Sequence, residues 1–408
     1  MRKIPRIISV DDHVIEPPHL WQRWLPTKHR DAGPRVVRDH YTIEWVAGNQ
    51  VARRGGDGPT TDFWLYEDLV WTHQMLNACA GYDESEWWMG PIAFDQMSPG
   101  CYEPKARLGD MDRGDIEASL CFPTFPRFCG QMFAERKDKT VALACLQAYN
   151  DWMVEEWSAA APERLVPLCL VPLWDPRLAA DEVRRNAARG VRAVAFSELP
   201  GKLGLPTIHD GDRHWEPFFA ACAETGTVIF MHIGSGSTFL TSSSDAPPAV
   251  TASLSFLTTT MAFSDWLFSG VLARHPSLRI CFAEGQIGWI PYVLERADNL
   301  WKKAIWGSPD NALPEPPSAY MAQVHVCFFD DVVGLEARDR IGVRQICFET
   351  DYPHQDSTWP NSRAAIERFA GVLDDEELEL VVRGNAARLL GLETGSGRSA
   401  GGTRRPTA

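Results

Sequence analysis

Eight short apolar runs recur along this chain, and amphipathic segments separate most of them. The runs lie at about 6–13, 118–123, 165–171, 191–197, 227–233, 279–284, 324–329 and 345–350. Between them, "KTVALACLQAYNDWMVEEWSAAAP" carries apolar residues at helical spacing and stops at Pro162. "AADEVRRNAARG" and "HWEPFFAACAETG" end on Gly190 and Gly226, a common signal for the end of a helix. "IGWIPYVLERADNLWKKAIW" predicts a further helix. Strand and helix repeated in this way predict a parallel α/β fold.

Polar side chains sit at the ends of these runs. Asp11 and His13 close the first, His232 lies near the end of the fifth, Glu284 ends the sixth, and Asp351 lies just past the eighth. Residues at i and i+2 of a strand share a face, so Asp11 and His13 can reach one ion while Asp12 points the other way. Three nitrogen or oxygen ligands and one more carboxylate suffice for a catalytic divalent metal. Functional residues at the C-terminal ends of several strands favour a closed (β/α)8 barrel. The alternative is an open doubly wound sheet, which more often carries a Gly-rich nucleotide loop after its first strand. None is present here.

The interval from about 36 to 105 breaks the rhythm. It holds five of the 16 Trp: Trp45, Trp64, Trp71, Trp87 and Trp88. A Trp-rich insertion after the first strand would rise from the active-site face as a lid or an oligomer contact, or else pack on the barrel flank. The expected organisation is one barrel domain over 1–392. A Gly/Ser/Thr-rich tail over 393–408 reads as disordered.

The formal net charge of −14 argues against nucleic acid and acidic membranes as partners. No apolar run reaches the ~18 residues of a membrane helix, and the N-terminus lacks a secretory pattern. The 10 Cys form no C-x-x-C pair, and five of them fall inside apolar runs. Free thiols in a reducing cytosol are expected. The expected partner is a small-molecule substrate, and the exposed tryptophans suggest a homo-oligomer.

Several motifs together match a family. They are "DDHVIEPPHLW" at Asp11, "VIFMHIG" at His232, "HPSLRICFAEGQIGWIPYVLER" from His275, "FETDYPHQDSTWP" at Phe348 and "GNAARLLGL" at Gly384. In this order the chain resembles the amidohydrolase-related metal-dependent hydrolases of the aminocarboxymuconate-semialdehyde decarboxylase type. The resemblance implies a distorted (β/α)8 barrel with one divalent metal, held by Asp11, His13, His232 and Asp351. Zinc is the first expectation, and Asp/His ligands also accept manganese or iron. Two departures stand out. Asp11 occupies a position that is His in the best-known decarboxylase of the family. Glu284 stands where decarboxylases of the family carry a catalytic His.

The Glu284 departure steers the expected activity toward hydrolysis. Metal-activated water would attack a small amide, ester or thioester carbonyl, with Glu284 and Asp351 handling protons. The alternative is non-oxidative decarboxylation of an aromatic or unsaturated acid. A barrel that binds without catalysis is the third reading, opposed by the complete ligand set. The fourth strand, "VRAVAFSELP", carries no Lys to bridge two metals, although Glu198 with Glu284 could hold a second ion. Among weaker candidates, Arg127 could clamp a substrate carboxylate or pair with a nearby acid. His354 lies at the mouth as a ligand contact or a structural group. Trp289 and Trp359 could line an aromatic pocket or belong to the core. His209, His214 and His275 read as structural.

Overall fold

The structure is a computed structural model, and it describes residues 3–46, 49–238, 240–243, 245–303 and 313–392. The expected tail over 393–408 lies outside the described residues. The chain forms an α/β fold with parallel sheets. The strands are β1 (Ile7–Val14), β2 (Arg35–Val46), β3 (Asn49–Arg54), β4 (Thr60–Tyr66), β5 (Leu69–Trp71), β6 (Ile116–Pro123), β7 (Leu165–Val166), β8 (Leu168–Cys169), β9 (Ala193–Ala195), β10 (Val228–His232), β11 (Ile280–Ala283), β12 (Val324–Phe328) and β13 (Ile346–Phe348).

Two parallel sheets run in the orders β1-β6-β7 and β13-β12-β11-β10-β9-β8. The run expected as one strand at 165–171 is two short strands, because Pro167 between them has no N–H to give to a ladder. At the other junction, Asp351 N donates to Asp11 O at 2.9 Å and His13 N to Tyr352 O at 2.6 Å. These bonds tie the turn after β13 to β1, an arrangement consistent with a TIM barrel. All eight residues of β1 are buried, as are all five of β10. Burial on both faces explains why these strands read as continuous apolar runs rather than as alternating ones.

The helices follow the sequence signals closely. Pro176–Ala187 starts on the Asp175 cap, whose carboxylate accepts from Arg177 N and Leu178 N. Glu216–Thr225 ends on Gly226 in the left-handed region. The long helix expected up to Pro162 is regular only over Lys139–Trp152 and continues as a π turn over Met153–Trp157.

Between β1 and β6 the chain forms an antiparallel sheet in the order β3-β2-β4-β5. Trp64 of β4 is buried, with its ring edge-on to Trp21 at 5.1 Å and tilted against Phe125 at 4.6 Å. Further along, Cys79 N donates to Pro353 O at 2.8 Å and Gln355 N to Leu76 O at 3.1 Å. The segment therefore packs on the helix after β1 and the loop after β6, and it reaches the turn that carries His354.

Candidate metal centre

Four strand-end side chains converge. Asp11, His13, His232 and Glu284 offer ligand atoms that all lie within 4.8 Å of one another. His13, Asp351 and His354 form an overlapping group by the same measure. His13 Nε2 lies 3.6 Å from Asp11 Oδ1 and 3.2 Å from Asp351 Oδ1. His232 Nε2 lies 3.5 Å from Asp11 Oδ2 and 2.9 Å from Glu284 Oε2.

Local structure aims these groups. The β1–β6 register shifts between Ser9 and Asp12, a bulge of the kind that redirects side chains beside active sites. Asp12 turns away from the cluster, as the strand alternation requires. It accepts from Ser9 Oγ at 3.1 Å and Tyr352 N at 3.0 Å, and also from Ser119 and Thr350. Glu284 and Asp351 have φ of 59° and 49°, the left-handed region that non-glycine residues avoid. Such strain persists where surroundings over-determine it. Glu284 N is held by Glu349 Oε2 at 3.1 Å. The next residue must be glycine, since a Cβ on Gly285 would meet Thr259 Cγ2 at 2.6 Å. His232 Nδ1 faces Ile233 O at 2.6 Å, which fixes the proton there and leaves Nε2 for the cluster.

The electrostatics are those of a site built for a cation. Both carboxylate oxygens of Asp11, both oxygens of Asp351 and both ring nitrogens of His13 are buried without a hydrogen-bond partner. Such groups are costly unless an ion or partner satisfies them. Burial holds the Asp11 carboxyl well above its ordinary range, and repulsion from Glu349, Asp351 and Glu284 adds to this. Burial likewise drives the His13 pKa well down, with His354 and His232 contributing. Burial opposes protonation of His232 too, but Glu284, the Ile233 carbonyl and Asp351 together outweigh it and the pKa is raised. Oxygen and imidazole donors of this kind fit a divalent metal.

The remaining candidates fall in different places. His354 stacks on His13 with ring centroids 3.6 Å apart, and its Nδ1 lies 3.3 Å from Asp351. It also lines a cavity of about 810 Å³ with Tyr82, Trp87 and Trp359. Trp359 donates to Asp110 O at 2.8 Å and packs edge-on against Tyr352. Arg127 pairs with Glu135 and donates to Ser237 Oγ at 3.2 Å. Trp289 donates to Gly285 O at 2.7 Å and packs against Phe263. Glu198 is absent from the candidate metal groups among the described residues. Its carboxylate accepts from Gly234 N at 2.9 Å and orders the turn after His232, and burial raises its pKa to about 7. His275 pairs with Glu216 at 2.7 Å and His209 with Asp265 at 3.1 Å.

Sequence reasoning missed Glu349, Arg107 and Phe128. Glu349 was within reach, since it precedes Asp351 by two as Asp11 precedes His13. Burial raises its pKa to about 8. Arg107 is buried, donates to His13 O and Gly100 O, and lies 4.1 Å over the Tyr352 ring. Phe128 stacks on His232 at 4.1 Å. No local pattern marks either residue.

Parallel strands with a carboxylate–imidazole cluster at their ends define an α/β protein with a candidate metal centre. Residues 39–392 match the amidohydrolase family, and the chain belongs to it. It is 24% identical over 328 residues to a 2-amino-3-carboxymuconate-6-semialdehyde decarboxylase of Dictyostelium discoideum, covering 74% of this chain and 80% of that one. It is 25% identical over 349 residues to a gamma-resorcylate decarboxylase of Rhodococcus jostii (strain RHA1), covering 78% and 95%. Among solved structures, an amidohydrolase from Mycobacterium avium subsp. paratuberculosis K-10 aligns with TM-score 0.68 at 22% identity, covering 97% of this chain and all of that one. A dihydroxybenzoic acid decarboxylase from Polaromonas sp. JS666, with bound manganese and the inhibitor 2-nitroresorcinol, aligns with TM-score 0.58 at 16% identity, covering 95% and 98%.

These relatives overturn the expected hydrolase activity. Both curated relatives are decarboxylases, and Glu284 in place of a family His was too narrow a basis for preferring hydrolysis. The chain is an enzyme of the amidohydrolase superfamily, and its donor set supports a divalent metal. The zinc expectation loses its preference, because the Polaromonas structure holds manganese. Among the described residues no helix is long and apolar enough to cross a membrane.

Proposed function

We propose that this protein is a metal-dependent, non-oxidative decarboxylase of an aromatic or unsaturated carboxylic acid. The observation that carries the reading is the similarity to two decarboxylases over about three quarters of the chain, joined to the strand-end cluster. The reading takes the parallel strands as one closed, distorted (β/α)8 barrel with the segment after β1 as an insertion. Asp11, His13, His232 and Asp351 are the proposed ligands of one divalent metal, manganese or zinc. When bound, such a metal supplies positive charge that orients the substrate carboxylate and an adjacent oxygen.

The reaction leaves the electron pair of the broken carbon–carbon bond on the substrate carbon. One proton must arrive there as carbon dioxide departs. We assign that proton to Glu284. Its side chain is 14% exposed, against 0–1% for Asp11, His13, His232 and Asp351, so it can be reprotonated from solvent. His232 Nε2 at 2.9 Å aims the carboxyl. His354, stacked on His13 beside the cavity, would meet the substrate's distal end.

The ten free, buried cysteines support a reducing, cytosolic setting. The proposed partner is a small-molecule acid, with neither nucleic acid nor membrane. Self-association is proposed from exposed apolar side chains such as Met89 at 67%, and light scattering at the monomer mass would refute it.

The test is a turnover assay on hydroxybenzoates and unsaturated acids, run beside an ester and amide panel in deuterated water. Carbon dioxide release with one deuterium at the vacated carbon is expected. Turnover confined to esters or amides would refute the reading.

A further inference from the structure

Beside the proposed ligands lies a second donor group that the proposed reaction does not use. Asp11, Cys327 and Glu349 offer two carboxylate oxygens and one sulfur within 4.8 Å of one another. They come from β1, from β12 and from the turn after β13. None of the three has measurable exposure. Cys327 Sγ donates to Glu349 Oε2. The other Glu349 oxygen, Oε1, is buried without a hydrogen-bond partner, as are both oxygens of Asp11.

The hydrogen bonding points the same way. The Glu284 amide and the Cys327 thiol both bond Glu349 Oε2, which leaves Oε1 as the unclaimed donor atom. Arg107, the buried guanidinium nearby, is committed to carbonyls and to the Cys121 sulfur. A buried acceptor left unpaired in this way is expensive. A second cation would satisfy Glu349 Oε1.

We propose that Asp11, Cys327 and Glu349 form a second divalent-cation site, specific for thiophilic ions such as zinc or cobalt. Binding exchanges the thiol proton for the metal: the S–H bond breaks, a sulfur–metal bond forms, and the proton leaves to solvent. A thiolate ligand favours zinc-class ions, whereas oxygen and imidazole donors also accept manganese. The two sites therefore differ in what they admit. Asp11 is common to both. The inference shares Asp11 with the proposed catalytic centre but does not depend on decarboxylation.

Metal-stripped protein titrated with cobalt(II) alone tests this, following bound ion per chain and the ultraviolet–visible spectrum. Two ions per chain are expected, with a thiolate-to-cobalt charge-transfer band growing with one of them. Cys327→Ser should bind one ion and show no band. Manganese(II) should fill one site in the unaltered protein. One cobalt without the band in the unaltered protein overturns the site, whatever the variants do. A band that persists in Cys327→Ser also overturns it, since the thiolate then lies elsewhere among the ten cysteines. Glu349→Gln keeps the thiol and should still fall to one ion; retention of two overturns the assignment. Failure of the decarboxylase reading shows separately, as missing carbon dioxide with two ions still bound.

Discussion

Glu284 Oε2 lies 2.9 Å from His232 Nε2, and each residue sits at the end of its own parallel strand. The contact joins a proposed proton donor to a proposed metal ligand. Its geometry depends on the left-handed backbone of Glu284, which Glu349 pins through the amide.

Glu284→Gln keeps the shape and removes the transferable proton. Loss of general acid catalysis typically costs about 10²–10⁴-fold in rate. A fall of that size in carbon dioxide release, with bound metal unchanged by elemental analysis, is expected. Loss of the metal would make Glu284 a ligand, and unchanged turnover would remove it from the reaction.

Removing the metal should destabilise the protein. Asp11, His13 and Asp351 have buried polar atoms that no protein group satisfies. A ligand at 100 times its dissociation constant stabilises by about 2.7 kcal/mol. Chelation should therefore lower the melting temperature by several degrees, and manganese or zinc should restore it. Asp351→Asn should melt at the chelated temperature with or without added metal. A melting curve indifferent to chelator would count against the whole centre.

Much of this was legible in the sequence because parallel strands are buried on both faces, and burial leaves a plain apolar signature. Polar residues at the ends of such runs stand out, and Asp11, His13, His232 and Asp351 were found that way. The break at Pro167 was also written in the sequence, as a residue that cannot donate. Arg107 was hidden because it reaches His13 from a helix far along the chain, and no local period encodes that contact. The hydrolase expectation failed for a different reason. It weighed one residue, Glu284, against a pattern spread over the whole chain, and a carboxyl can deliver a proton to carbon as well as activate water.

His73 gives a pH dependence remote from the centre. Its buried ring accepts from Trp64 Nε1 at 3.1 Å through Nε2, so the native state needs it neutral. Burial lowers its pKa to about 3, from 6.5 when unfolded. Below 6.5 the unfolded chain binds the proton and the native state does not. Stability is fully present above pH 6.5 and is lost as pH falls toward 3, at about 1.4 kcal/mol per pH unit for this group. His73→Phe should flatten the slope of urea midpoint against pH across that window. An unchanged slope would mean that His73 titrates normally.

Arg107→Lys tests how the centre is held. The guanidinium donates to Gly100 O at 2.8 Å, to the Cys121 sulfur at 3.3 Å and to His13 O, and it lies over the Tyr352 ring. Lysine keeps the charge but not the fork or the stacking. Hydrogen bonds to charged groups contribute about 1.5–3 kcal/mol each, so losing one or two should cost roughly 1.5–6 kcal/mol of stability. The backbone of His13 is one of the groups released, and ligand-orienting partners are worth about 10–100-fold in metal affinity. Calorimetric titration with manganese should therefore show weaker binding in Arg107→Lys, beside the lowered unfolding midpoint. A lowered midpoint with metal affinity unchanged would make Arg107 a packing residue only, with the β1 bulge alone aiming His13.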